Sequence, residues 1–248
     1  MIIFKDIVKS FSGVEILKGI SGEFHPGQTN LIIGSSGTGK SVLLKSLVGL
    51  LDPDSGNITY DGRDFTSKEK NNKRLIRREI GMLFQGSALF DSMTVEENIM
   101  FPLNTFTKQS KEEKLERVNF CLERVGLENI NHLTPSEISG GMKKRVGIAR
   151  AIVMNPKYLF CDEPNSGLDP QTANVIDNLI QEITKEYNIT TVVVTHDMNS
   201  VIEIGEHIIY MLKGEKLWEG NKDSVFESGN KQLNDFVFSN ALLNAIKK

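Results

Sequence analysis

The feature that most constrains this chain is a short, mainly apolar run that leads into a glycine-rich turn and then into a helical pattern. Thr29–Ile33 predicts a strand, and residues 41–51 carry apolar side chains at helical spacing before Asp52-Pro53. Between them, Gly-Ser-Ser-Gly-Thr-Gly-Lys-Ser matches the pattern G-x-x-x-x-G-K-[ST]. A strand, such a turn and a helix in this order favour an α/β fold with a parallel sheet.

This turn is a candidate phosphate-binding loop. Glycines let backbone amides close around phosphate oxygens, and the following helix directs the positive end of its dipole at the anion. Lys40 would supply a positive charge to the β- and γ-phosphates, and the Ser41 hydroxyl is a candidate Mg²⁺ ligand. The alternative, a glycine-rich turn that matches by chance, is disfavoured by the flanking strand and helix. The candidate nucleotide-binding residues are Gly34, Ser35, Ser36, Gly37, Thr38, Gly39, Lys40, Ser41 and Val42.

Composition excludes several classes of protein. The chain has 248 residues, 39% hydrophobic and 25% charged, which predicts one large globular domain, with or without a subdomain. Its net charge of −3, from 29 basic and 32 acidic residues, argues against a nucleic-acid partner. We expect no signal peptide and no membrane span, because neither pattern is present. Two cysteines cannot build a disulfide framework, which favours a reducing compartment.

A second candidate chemical element follows a buried strand. The run Tyr-Leu-Phe-Cys is continuously apolar, as in a strand covered on both faces, and it ends in Asp162 and Glu163. At the carboxyl end of a parallel strand these carboxylates face the same crevice as the phosphate loop. Asp162 is a candidate Mg²⁺ partner and Glu163 a candidate base for an attacking water. A solvated acidic turn is the alternative for this pair taken alone.

The remaining elements are predicted from periodicity. The β-branched run Thr190–Thr195 predicts a central strand that ends at His196, and residues 208–217 predict a hairpin that turns at Lys213-Gly214. Residues 1–27 are expected to form short strands and turns, and residues 80–85 a brief strand. Residues 86–155 predict a mainly helical subdomain, and residues 221–248 a helical tail with Leu233, Phe236, Val237, Leu243 and Ile246. The helix predicted over 171–187 places one apolar face on Val175, Ile176, Leu179, Ile180 and Ile183.

Together with Ile138-Ser139-Gly140-Gly141-Met142, these motifs resemble the ATP-binding subunit of an ABC transporter over residues 1–220. The resemblance implies a P-loop NTPase core with a mainly parallel sheet, an N-terminal antiparallel β subdomain and the inserted helical subdomain. It implies ATP and Mg²⁺ as cofactors, and transport-coupled ATP hydrolysis as the activity. It gives each family residue a role: Phe11 stacks on adenine, Gln85 senses Mg²⁺ and the γ-phosphate, and His196 is the switch histidine. The resemblance also implies that residues 166–169 cross a dimer interface.

Ser139, Gly140 and Gly141 form a second candidate anion site. They directly precede the helix predicted over residues 143–154, so their amides lie at a helix N-terminus. In the family this segment reaches the γ-phosphate of ATP bound to the other subunit. One chain then carries two phosphate-facing surfaces, and a head-to-tail dimer of two copies would complete both sites.

A finer subfamily is suggested by a few residues. Met142 stands where the family signature usually has glutamine, so the hydrogen bond of an amide is lost there. This ending, residues 84–91 and the helical tail are similar to the ATPase of Mla-type, MCE-associated phospholipid transport systems. That similarity implies lipid cargo, permease subunits and an MCE-domain protein as partners, and the cytoplasmic face of the inner membrane as location. An importer or exporter of another cargo is the alternative.

Residues 88–103 carry more apolar side chains than a small helical insertion can readily cover. The family uses this region as a groove for a short helix of the membrane subunit, so we expect an exposed apolar patch beside Gln85 and Phe90. Core packing is the alternative. Two other functions stay open at this point: a non-transport ATPase of the same superfamily, which would usually add domains or a coiled coil, and an unrelated phosphate-loop kinase, which would not need Ser139 or His196.

Overall fold

A computed structural model describes residues 1–67 and 70–238. Its centre is a six-stranded sheet in the order β10-β9-β3-β8-β7-β6, parallel except for the edge strand β10. The strands of this sheet are β3 (Thr29–Ile33), β6 (Ile80–Leu83), β7 (Tyr158–Asp162), β8 (Thr190–Thr195), β9 (His207–Leu212) and β10 (Glu215–Gly220). Every residue of β3, β7 and β8 is buried, as expected for strands covered by other elements on both faces.

A separate four-stranded antiparallel sheet, in the order β2-β1-β4-β5, packs against this core. Its strands are β1 (Ile2–Phe11), β2 (Val14–Phe24), β4 (Ser55–Tyr60) and β5 (Arg63–Asp64). The expectation of short strands over residues 1–27 is wrong, because β1 and β2 are 10 and 11 residues long. Register shifts between Phe4 and Ile7 interrupt the apolar alternation, and Asp6 there has a φ of 50°.

The helices of the described residues are α1 (Lys40–Leu47), α2 (Lys70–Arg78), α3 (Val95–Phe106), α4 (Lys111–Arg124), α5 (Gly140–Ile152), α6 (Pro170–Glu186), α7 (Met198–Ile204) and α8 (Lys231–Val237). Helices α3, α4 and α5 contact one another and lie within residues 86–155. The fold is therefore the predicted α/β class, with a mixed sheet, an antiparallel β subdomain and helices. None of the helices in the described part of the chain is long and apolar enough to cross a bilayer.

The C-terminal helix α8 packs on its own domain. Leu233 and Val237 are fully buried in the core, and the Tyr210 hydroxyl donates to the carbonyl of Gln232 at 3.2 Å. Phe236 stacks at a tilt on Tyr210, with 5.5 Å between the ring centroids. Leu243 and Ile246, which we also expect in this tail, lie outside the described residues.

The buried face of α6 differs from the predicted one at a single residue. Ile176, Leu179, Ile180 and Ile183 are buried, but Val175 is half exposed. At about 100° per residue, the buried arc extends from Leu179 in the direction away from Val175. It takes in Ala173, Thr184 and Asp177 instead. Val175 is apolar and sits beside the buried stripe, which is why periodicity alone places it in the core.

This difference gives a stability test within one helix. Ile180→Ala removes buried methyl groups and should lower the free energy of unfolding by about 2–5 kcal/mol. Val175→Ala, on the exposed side, should change it by less than about 0.5 kcal/mol. Urea denaturation of both variants measures the two values. Equal losses would mean that α6 packs on the face that contains Val175.

Candidate active site

The turn between β3 and α1 has a backbone that only glycine adopts easily. Gly34, Gly37 and Gly39 have φ values of 146°, 79° and 98°. A Cβ on Gly34 would also lie 2.3 Å from the carbonyl oxygen of Met211. The sequence pattern therefore reflects both a required backbone conformation and a close approach to β9.

Lys40 begins α1 and is almost fully buried. Its Nζ donates to the carbonyl oxygens of Gly34 at 2.7 Å and Ser35 at 2.9 Å. Burial lowers the pKa of Lys40, whereas the carboxylates of Glu163 and Asp162 raise it. The turn thus curls around the ammonium group of Lys40, which faces the acidic end of β7.

Ser41 and Asp162 form the candidate metal site. The Ser41 hydroxyl donates to Asp162 Oδ1 at 3.1 Å, and Asp162 is 7% exposed at the end of β7. Among the described residues, no group of three or more His, Cys, Asp or Glu side chains could hold a metal ion. A hydroxyl and one carboxylate suit Mg²⁺, which commonly takes one or two protein oxygens and completes its shell with substrate phosphates and water. The residues present therefore fit a nucleotide-bound Mg²⁺.

Glu163 and His196 meet across the ends of β7 and β8. The His196 Nδ1 atom lies 2.8 Å from Glu163 Oε2, and the histidine side chain is far more exposed than the glutamate. Glu163 has a φ of 49°, a left-handed conformation that is uncommon for a non-glycine residue, and its N–H donates to the carbonyl of Val194 at 2.9 Å. The backbone at Glu163 is strained in the way that functional residues often are.

Gln85 lies two residues beyond β6 and contacts the loop after β7. Its Nε2 donates to Ser166 Oγ at 3.2 Å, and the side chain is exposed. The structure therefore brings Gln85 to the predicted interface loop of residues 166–169. Gln85 makes no hydrogen bond to Ser41 or Asp162 in the described chain.

A residue that sequence reasoning missed is Lys144. It lies in α5, is 5% exposed, and its Nζ donates to the backbone carbonyls of Gln85 and Glu163. Burial lowers the pKa of Lys144. This lysine joins the ends of β6 and β7. In the sequence, only its position five residues after Ser139 could have pointed to a role at the site. A lysine in the first turns of a helix with other basic residues is normally expected to be exposed to solvent.

Ser139 and Phe11 lie apart from this cluster. Ser139 caps α5, with its Oγ accepting from the Met142 N–H at 3.2 Å, and it makes no hydrogen bond to residues 34–41 in the described chain. Ser139 and Gly140 are exposed, whereas a Cβ on Gly141 would lie 2.8 Å from Thr172. Phe11 is 43% exposed at the end of β1, with Lys9 Nζ 5.6 Å from its ring centroid. Both are available for contact from outside.

A family model described as "ABC transporter" matches residues 17–166. The chain belongs to the ABC transporter ATP-binding family. Its activity is ATP hydrolysis coupled to transport, and ATP is the nucleotide of this family. Membership in the family disfavours the phosphate-loop kinase that the motifs alone left open.

Similar proteins include two transport ATPases and one solved cassette. "Methionine import ATP-binding protein MetN 2" of Bacillus cereus is 41% identical over 245 residues, covering 96% of this chain and 72% of that protein. "Probable ribonucleotide transport ATP-binding protein mkl" of Mycobacterium leprae is 36% identical over 233 residues, covering 94% of this chain and 67% of that protein. The cassette MJ0796, solved as a dimer with ADP and Pi, has a TM-score of 0.82 at 33% identity. It covers 90% of this chain and 99% of its own.

The geometry of the phosphate loop gives a binding test. Lys40→Ala removes the ammonium group that the loop surrounds, so ATP affinity should fall at least about tenfold, as for loss of a charged hydrogen bond. Lys45→Ala is the matched control, because Lys45 lies on the same helix and is exposed. Titration with a fluorescent ATP analogue measures both affinities. Equal affinities would remove Lys40 from the site.

Proposed function

We propose that this ABC ATPase binds Mg-ATP at residues 34–41, hydrolyses it with Glu163 as base, and powers an importer. The observation that carries the active-site assignment is the convergence of three contacts at neighbouring strand ends. Lys40 is enclosed by its own loop, Ser41 bonds Asp162, and Glu163 bonds His196. These groups can bind phosphate, hold a metal ion and accept a proton from water within one crevice.

Each residue has a distinct part in this proposal. The Lys40 ammonium group exchanges loop carbonyl oxygens for β- and γ-phosphate oxygens when ATP binds. Glu163, oriented by its hydrogen bond to His196, accepts the proton of the attacking water. Ser41 and Asp162 would hold Mg²⁺, with Gln85 joining them from the loop, and the ion would neutralise charge on the phosphates. Phe11 supplies an exposed ring for the adenine base.

The second half of the site would come from another copy of the chain. Ser139 and Gly140 are exposed at the start of α5, and Gly141 is buried beside them. An anion is favoured at this helix N-terminus, but Ser139 makes no hydrogen bond to the Lys40 loop of the same chain in the described residues. A head-to-tail dimer brings this helix N-terminus to ATP held by the partner copy. The dimeric state of the similar cassette MJ0796 supports this arrangement.

The surface for the permease is a groove of about 440 Å³ beside β6 and α3. Phe90 and Phe101 are 41% and 40% exposed and lie 4.9 Å apart between ring centroids, whereas Val95 and Ile99 are buried. The apolar patch expected over residues 88–103 is therefore partly exposed and partly core. We propose that a short helix of a membrane-spanning subunit binds in this groove, which would place the chain at the cytoplasmic face of the cell membrane.

The cargo assignment differs from the one that the subfamily motifs implied. The relatives from Bacillus cereus and Mycobacterium leprae are named for methionine import and ribonucleotide transport, so they favour an importer for a small solute over phospholipid transport. Neither name points to an MCE-domain partner. The subfamily similarity rests on a small set of residues, Met142 and residues 84–91, and these lie in the ATPase. Cargo is selected by the permease and its binding protein, so these residues say little about the cargo.

The assignment of Glu163 predicts a specific failure. Glu163→Gln should leave ATP binding intact, lower hydrolysis by about 10²- to 10⁴-fold, and cause a closed dimer to accumulate with Mg-ATP. Phosphate release and sedimentation velocity measure the two effects. Glu215→Gln, at an exposed position on β10, is the control and should hydrolyse ATP normally. Normal turnover in Glu163→Gln would reject the proposed base.

The importer assignment predicts uptake of a solute. The ATPase is purified with its permease and binding protein and reconstituted in vesicles that enclose ATP. Uptake is then measured for labelled small solutes beginning with methionine, and movement of a fluorescent phospholipid is measured in parallel. We expect ATP-dependent solute uptake that is lost with Glu163→Gln. ATP-dependent phospholipid movement without solute uptake would reverse the cargo assignment.

A further inference from the structure

Three polar side chains lie close together near the Glu163–His196 pair: Asp177 and Ser200 are buried, and Asn165 is partly exposed. Asp177, in the middle of α6, is 1% exposed, and its Oδ1 has no hydrogen-bond partner. Asn165, in the loop after β7, also has a buried Oδ1 without a partner, while its Nδ2 donates to Ser200 Oγ of α7 at 3.0 Å. Ser200 is fully buried as well. We call Asp177, Asn165 and Ser200 the polar triad.

Two buried, unpartnered acceptors in one cluster need a physical reason. An unsatisfied buried acceptor costs folding free energy, so native proteins rarely keep two in one cluster. A proton on Asp177 would turn its carboxyl group into a donor, and the neighbouring Asn165 has an amide oxygen that lacks one. Burial raises the pKa of Asp177 to about 6, although hydrogen bonds from Ser200 and Asn165 oppose this rise.

The acidic groups around the triad raise the pKa of Asp177, as burial does. Asp197, at the N-terminus of α7, and Glu203, in the same helix, both raise the pKa of Asp177. On the β7 side lies the buried thiol of Cys161, whose pKa burial and Asp177 both raise, and Lys144 opposes that rise. Ser200 and Asn165 are the neighbours that favour ionised Asp177.

The triad ties together the two loops that carry the candidate catalytic pair. Asn165 follows Glu163 by two residues, and Ser200 follows His196 by four. Asn165 also lines the cavity of about 420 Å³ that Glu163 and His196 share. Helix α6, which contains Asp177, is capped by Asp169 of the predicted interface loop. The Asn165–Ser200 hydrogen bond is therefore a direct contact between the two loops.

We propose that Asp177 is a positioning residue: through Asn165 and Ser200 it holds the Glu163 and His196 loops in register, and it holds them most firmly when it shares a proton with Asn165. This inference rests on the roles proposed for Glu163 and His196. Asp177 itself touches neither substrate nor metal ligand. It acts by fixing where the two catalytic side chains stand.

The first test is the pH dependence of stability. A carboxyl group whose pKa is higher in the folded than in the unfolded chain stabilises the fold when protonated, and this stability is lost as pH rises through about 6. Asp177→Asn keeps the shape and donates an amide N–H at every pH. Its melting temperature should match wild type below about pH 4, where both chains carry a neutral side chain at this position, and exceed it by several degrees at pH 8. A difference that does not vary with pH, or a less stable variant throughout, would overturn the proposal.

The second test separates positioning from mere packing. Asp177→Ala should lower kcat about 10- to 100-fold, the cost of misplaced catalytic groups, while KM for ATP changes by less than about twofold. Asp177→Asn should retain most of the wild-type kcat. Ser200→Ala should lower kcat in the wild-type chain but add no further loss to Asp177→Ala, because the two residues act through one contact network.

Thr184→Val is the matched control, because Thr184 is another buried polar residue of α6 and bonds Thr191 at 2.7 Å, apart from the triad. It should lower the melting temperature without changing kcat at 25 °C. A fall in kcat as large as that of Asp177→Ala, or full activity in Asp177→Ala, would reduce the triad to a packing feature. The melting curves do not depend on catalysis, so failure of the Glu163 assignment would be recognised separately by its own variant.

Discussion

The site depends on the register of four neighbouring parallel strands. Ile33 pairs with Thr195, Asp162 with Val194, and Leu83 with Cys161, so β3, β8, β7 and β6 end at one edge of the sheet. The candidate phosphate loop, His196, Glu163 and Gln85 each follow one of these ends, and Asp162 is the last residue of β7. Because ladder hydrogen bonds fix this spacing, a shift of one residue in any strand would turn its side chains to the opposite face and dismantle the crevice.

Buried charge is the second feature of this edge. Lys40, Lys144 and Asp162 are each less than a tenth exposed. Backbone carbonyl oxygens accept hydrogen bonds from both lysines. Charges in such an environment act strongly on phosphate, but they cost folding free energy. The sheet and its apolar faces therefore stabilise a cluster that would not be stable alone.

Much of the fold could be predicted from local pattern, and the exceptions have physical causes. The strand Thr190–Thr195 was predicted to the residue because its β-branched run has no competing signal. The full length of β1 was missed because a bulge at Asp6 breaks its alternation. Val175 was placed on the buried face because it is apolar and borders that face, and the sequence pattern does not fix on which side of the apolar stripe the burial continues. Lys144 and Asp177 could not be found, since burial of a charged residue depends on tertiary packing that periodicity does not record.

We propose that each ATP is enclosed by Lys40 of one copy and Ser139 of another. Cysteine crosslinking tests it directly, because the two native cysteines are buried. A Ser36→Cys chain is mixed with a Ser139→Cys chain in the Glu163→Gln background and exposed to a short bifunctional crosslinker. We expect a crosslinked dimer that forms in the mixture with Mg-ATP and not with either chain alone. No dimer at saturating Mg-ATP, or equal crosslinking without nucleotide, would contradict the claim.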